Sequence, residues 1–163
     1  MVAPRRVVLD ATAARRAAAG LLSRRAWTRR ELTLRLERRG APPSVASEVV
    51  TDLAGRGDVD DAAFARQWVD ARAARGYGPA RLRAELRARG VASSLIDRAL
   101  SAVAPEAELA RARAAARRRL PALRSTDPVR TAARLRGFLM RRGYPEAIVA
   151  RVLRESTGLS GED

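Results

Sequence analysis

Cysteine, histidine and lysine are all missing from this 163-residue chain. Without cysteine there is no disulfide framework and no thiolate metal site. Without histidine the commonest general base and metal ligand is gone, and Ser–His and Cys–His nucleophile pairs go with it. Without lysine a phosphate-cradling Gly-x-x-x-x-Gly-Lys loop is impossible. Aromatic residues are scarce: two each of Trp, Tyr and Phe. No apolar run approaches the ~20 residues needed to cross a bilayer. The Met1–Leu9 stretch is too poor in apolar residues for a signal peptide. No segment alternates in hydrophobicity long enough to make a useful strand. The expectation is a reduced, cytoplasmic, all-α protein with no membrane contact.

What the chain does have is arginine. All 33 basic residues are Arg, set against 18 acids, for a net charge of +15. The balance is +7 over residues 1–50, +2 over 51–103 and +6 over 104–163. A coding bias that writes Arg for Lys, to which the 35 alanines would also belong, would explain the missing lysine but not the surplus itself. Such a surplus favours a densely negative partner, of which nucleic acid is the commonest.

The arginines sit in a repeating frame. Counting back four from Gly40, Gly90 and Gly143 gives Leu36, Leu86 and Leu139, and counting back eight gives Leu32, Leu82 and Leu135. The residue just before each glycine is Arg39, Arg89 or Arg142. Five after come Val45, Leu95 and Ile148, and ten after come Val50, Leu100 and Leu153. Glycines 50 and 53 residues apart mark an internal repeat, and a period of this size signals an array. The clearest copy of the phrase is Gly78–Gly90. Gly78 is an N-cap, Pro79 opens the helix where a missing N–H costs nothing, and Gly90 closes it left-handed.

Each unit reads as three helices. Residues 1–9 form a flexible basic arm, 10–55 the first unit, 56–103 the second, 104–156 the third, and 157–163 a frayed tail. In the first unit Thr28 and Glu31 have capping-box spacing, and Trp27 is placed to staple onto Leu32. Val45, Val49, Val50 and Leu53 share one side of its last helix. In the second, Asp60 is an N-cap and Asp61 stands in the first turn. Phe64, Trp68 and Val69, with Ala65 and Ala71 between them, give a core-facing helix. In the third, a long Ala/Arg helix opens at Glu106 and Glu108 and is expected to end or kink at Pro121. Asp127-Pro128 and Pro145-Glu146 open the last two helices.

Chemistry has little purchase here. Asp58, Asp60 and Asp61 place three carboxylates in four residues, but no further acid follows at ligand spacing and the loop is not a calcium loop. They are better read as helix caps. No catalytic, metal-ligating or cofactor-binding residue is expected, and no enzyme. Two kinds of binding protein fit: a DNA reader with one helix per unit in a groove, or a modulator that meets an acidic or nucleoprotein surface through an arginine face.

At this point the motifs resemble a known family. Gly57-Asp-Val-Asp-Asp61, Phe64-Ala65, Gly78 with Arg81-Leu82, Glu85-Leu86 and Gly90-Val91 resemble the central signature of the RecX regulatory proteins. Arg24 through Glu31-Leu32, with Leu36 and Gly40, resembles that family's N-terminal signature. The similarity runs over residues 10–155 and is weakest in the third unit. Trp27-Thr28 departs from it, since many members have a small residue and Ser there.

The resemblance implies three tandem three-helix repeats in an elongated, curved array. It implies a cytoplasmic regulator that binds the RecA recombinase filament on single-stranded DNA. Filament extension, ATP hydrolysis, strand exchange and coprotease activity would be reduced, in recombination, DNA repair and SOS control. Direct contact with single-stranded and double-stranded DNA is also implied, by a monomer. Arg72, Arg75, Arg81, Arg83 and Arg87 of the best-matching unit are the expected filament- and DNA-binding residues. The competing expectation is a general DNA-binding protein with no recombinase partner.

Overall fold

Gly40, Gly90 and Gly143 end a helix in the same way three times, with φ of 104°, 82° and 90°. In each case the next residue donates its N–H back to the leucine four before the glycine: Ala41 to Leu36, Val91 to Leu86 and Tyr144 to Leu139. This closure satisfies a carbonyl that the helix end would otherwise leave unpaired. It also turns the chain so that Ala41, Val91 and Tyr144 drop into the interior.

The computed structural model describes residues 8–158, so most of the expected arm and tail lies outside the described residues. Nine helices and no strand occur among the described residues. The first unit holds α1 (Ala11–Leu22), α2 (Arg29–Arg38) and α3 (Pro43–Gly55). The second holds α4 (Asp61–Ala74), α5 (Pro79–Ala88) and α6 (Ser93–Ser101). The third holds α7 (Pro105–Leu123), α8 (Pro128–Arg142) and α9 (Glu146–Thr157). None is long and apolar enough to cross a membrane.

Local chemistry explains the starts. Asp10, Asp60 and Asp127 accept from Ala13, Ala63 and Val129 at 2.7, 3.0 and 2.9 Å. Thr28 and Glu31 complete the capping box. Prolines open α3, α5, α7 and α8. The helix does not end at Pro121: α7 runs on to Leu123. The amide it lacks would reach only the Arg117 carbonyl, in an exposed last turn, so the helix loses one terminal bond and continues.

Burial follows the repeat. Leu32, Leu36, Leu86, Leu135 and Leu139 are fully enclosed and Leu82 nearly so. They belong to three separate cores, one per unit. Val59, in the link before α4, packs into the first of them. The α4 expectation needs rotating: Ala71 is exposed, and Ala73 is buried instead. At 100° per residue the buried face centres on Ala65 and Val69. Phe64 and Trp68 therefore lie toward its edge, and the Trp68 ring is only partly covered.

The units join end to end through their middle helices. The N-terminus of α5 abuts the Gly143 turn at the end of α8: Gly78 donates to the Arg142 carbonyl at 2.6 Å and Ala80 to the Gly143 carbonyl at 3.0 Å. The N-terminus of α2 abuts the Gly90 turn at the end of α5, where Thr28 Oγ1 donates to the Arg89 carbonyl at 2.7 Å. At the α5–α8 joint free N–H groups of one helix thus face free carbonyls of the next, and at the α2–α5 joint the Thr28 hydroxyl takes the N–H groups' place. At the matching turn of the first unit, Leu9 N–H caps the Gly40 carbonyl at 3.0 Å.

Candidate functional site

The five expected arginines do not form one face. Arg81 and Arg83 are about 200° apart around α5, on opposite flanks of the Leu82/Leu86 stripe. Arg81 lies over the Tyr77 ring at 4.4 Å and pairs with Glu85 at 3.2 Å. Arg83 turns the other way and pairs with Asp97 of α6. Arg87 is exposed between them, and no described carboxylate reaches it. Arg75 is exposed at the end of α4. Arg72 is half-buried and largely occupied: its guanidinium grips Glu85 at 2.5 and 3.0 Å and stacks over Tyr77 at 4.1 Å.

Glu85 is the hub that sequence reasoning did not single out. Besides Arg72 and Arg81 it accepts the Trp68 indole N–H at 2.9 Å. Burial alone would push its carboxyl up, but the hydrogen bonds from Arg72, Trp68 and Arg81 outweigh that and hold it below the ordinary glutamate value. Its hydrogen bond to Glu85 in turn holds Arg72 above the ordinary arginine value, against the opposing effect of burial. Arg72 and Arg81 are thereby tied to Glu85, as Arg83 is to Asp97, while Arg75 and Arg87 are exposed outside these pairs.

Two further arginines tie the units together. Arg89 crosses to the first unit, pairing with Glu31 and lying over the Trp68 ring at 4.1 Å. Arg142 crosses to the second unit, donating to the Arg75 carbonyl at 3.2 Å and stacking over Tyr77 at 4.5 Å. Both hold the repeat position just before the glycine, so the repeat itself carried this signal. Two other joint residues had no such signal. Thr28 is fully buried, and Asp61 accepts from the Arg29 N–H at 2.9 Å as well as standing in the first turn of α4. Trp27 packs on the first core, with its indole N–H on the Leu21 carbonyl at 3.1 Å.

The second joint also buries an unpaired acid. Glu108 Oε1 and the Tyr144 hydroxyl are enclosed without a hydrogen-bond partner among the protein atoms, and both line a small cavity beside Tyr77 and Leu82. Burial raises the Glu108 carboxyl above its usual value, with the Arg111 charge opposing. A raised folded-state value means the native state holds the proton more tightly than the unfolded chain. The associated stability is fully present below the ordinary glutamate value and is lost as pH rises through the raised one. Glu108→Gln should therefore raise the melting temperature near about pH 7 and change it little near about pH 4. Thermal melts at the two pH values check this, and an equal gain at both would contradict it.

No group of three or more acids that could hold a metal occurs among the described residues. What the geometry defines is a tandem array of three-helix units, joined end to end, with arginines on its joints and outer surface: a helical repeat protein. Family models for the first, second and third three-helix domains of RecX match residues 14–53, 60–100 and 106–153. The chain is 42% identical over 142 residues to the regulatory protein RecX of Thermobifida fusca, covering 86% of this chain and 77% of that one. With its namesake from Halorhodospira halophila it shares 45% over 135 residues, 81% of each chain. The crystal structure of RecX from Lactobacillus salivarius superposes with a TM-score of 0.82 at 18% identity, over 92% of this chain and 98% of that one. The chain belongs to the RecX family of regulatory proteins.

Proposed function

We propose that this protein binds the RecA filament on single-stranded DNA and restrains its extension, ATP hydrolysis, strand exchange and coprotease activity. It acts in the cytoplasm, as a monomer, and performs no catalysis of its own. The observation that carries this reading is the pair of head-to-tail joints, seen in a chain of the RecX family. They fix three arginine-bearing units in a row, so that one molecule can meet successive protomers of a filament. Each added contact is intramolecular once the first has formed, which multiplies affinity through effective concentration. A molecule seated across protomers then opposes their addition or rearrangement.

On the second unit the contact is assigned to Arg83 and Arg87, with Arg75 beside the next joint. Arg72 and Arg81 hold the platform through Glu85. Filament ATPase and strand exchange, measured with increasing protein, test the proposal. Wild type should inhibit both, and alone should turn over neither ATP nor DNA. Arg83→Ala/Arg87→Ala should keep the wild-type helical content and lose much of the inhibition. Full inhibition by the folded double variant would show that the contact lies elsewhere, and absence of inhibition by wild type would refute the function.

A further inference from the structure

The third unit carries a cleft that the arginines of the second do not account for. It is lined by Ala115, Arg118 and Arg119 of α7 and by Phe138, Arg141 and Arg142 of α8, with a volume of about 380 Å³. That size lies within the range of sites that enclose a ligand. No carboxylate lines it, and among the described residues none of its four arginines forms an ion pair. Arg118 and Arg142 converge, each with a guanidinium nitrogen within 4.0 Å of where a Gly76 β-carbon would stand. Arg142 lies over the Tyr77 ring at 4.5 Å and the Phe138 ring at 5.1 Å, and Arg119 approaches Phe138 at 6.0 Å. The cleft beside Trp68 differs, because Arg25 and Arg89 there both pair with Glu31.

We infer that the α7–α8 cleft binds single-stranded nucleic acid, with a phosphodiester among Arg118, Arg119 and Arg141 and a base against Phe138. Like charges gathered without a protein counter-charge are balanced by an external anion. Guanidinium forks match phosphate oxygens two at a time. The partly covered ring selects among polyanions: an acidic polypeptide offers it no flat face, and a duplex keeps its base faces inside the stack. This deepens the proposal that the protein meets a filament on single-stranded DNA, since it assigns the strand to the third unit.

Binding of labelled oligothymidylate is measured by anisotropy across a salt series, with poly-glutamate and a duplex of equal length as competitors. Arg118→Ala/Arg119→Ala/Arg141→Ala, all exposed positions, should flatten the log–log salt slope by about 2, at roughly 0.7 per phosphate contact on single strands. Arg119→Ala alone should flatten it by about 0.7, which keeps the test open if the triple variant misfolds. Phe138→Leu should weaken binding roughly tenfold with the slope unchanged. An unchanged slope in a folded triple variant overturns the inference. So does poly-glutamate or duplex competing as well as a single strand, or wild-type affinity in Phe138→Leu. Filament inhibition is assayed on the same samples. If wild type fails to inhibit while the oligothymidylate results stand, the filament reading falls and the cleft assignment holds.

Discussion

Gly143→Ala is expected to destabilise the protein by about 3 kcal/mol, more than either of two related substitutions. Gly57 has φ +82° and nothing within 4 Å of an added β-carbon, so Gly57→Ala bears only the left-handed backbone cost, about 1–2 kcal/mol. Gly78 has an ordinary φ of −93°, but its β-carbon would stand 2.5 Å from the Gly143 carbonyl carbon. Gly78→Ala therefore bears only the steric cost of forcing a joint apart, about 1–3 kcal/mol. Gly143 suffers both, with φ +90° and its β-carbon 2.5 Å from the Arg81 amide nitrogen. Because Gly78 and Gly143 share one contact, the double variant should lose less than the sum of the two singles. Denaturant unfolding of the four variants measures this. Equal losses at Gly57 and Gly143 would mean that the joint between the second and third units contributes nothing.

Leu32→Ala, Leu86→Ala and Leu139→Ala are each expected to lose roughly 2–5 kcal/mol, because each leaves a cavity in a fully enclosed site. The exposed, unpaired Arg87→Ala should change stability by less than about 0.5 kcal/mol. With a separate core in each unit, the damage should also be local. Amide exchange should accelerate first in the unit that carries the substitution, then in its neighbour. Uniform acceleration over all three units would contradict three cores and indicate one. A loss at Arg87 equal to that at Leu86 would mean that the phase of α5 is wrong.

Whatever depends on spacing within a few residues could be read from the chain. The capping box at Thr28 and Glu31, the aspartate caps, the leucine stripes and the left-handed glycines all lie within one helix and its ends. The joints could not be read in this way. Thr28 meets the carbonyl of Arg89 61 residues away, and Arg142 meets that of Arg75 67 residues away. No local pattern encodes such pairings, although Arg89 and Arg142 hold the same repeat position. The ion pairs between helices were out of reach for a similar reason: no local pattern shows that Glu85 and Asp97 hold three of the five expected arginines. On α4 the apolar spacing counted Trp68 and Ala71 on the core-facing side with Phe64, Ala65 and Val69. Burial of Ala73 in place of Ala71 turns that stripe, which leaves Trp68 at the edge for Arg89 to cover. Net charge held a clue of its own, since the middle stretch carries the smallest surplus and the third one three times as much.

The most direct test of the filament reading compares two salt dependences, for binding to bare single-stranded DNA and to the recombinase filament formed on it. On the bare strand the affinity should fall steeply, with each phosphate contact adding about −0.7 to the log–log slope. On the filament, protein–protein contacts add apolar and hydrogen-bonded terms that salt screens poorly, so the fall should be shallower and inhibition should persist near physiological ionic strength. A shallower filament slope is the predicted result. Identical slopes on both would mean that DNA alone is the partner, and the filament account would be wrong.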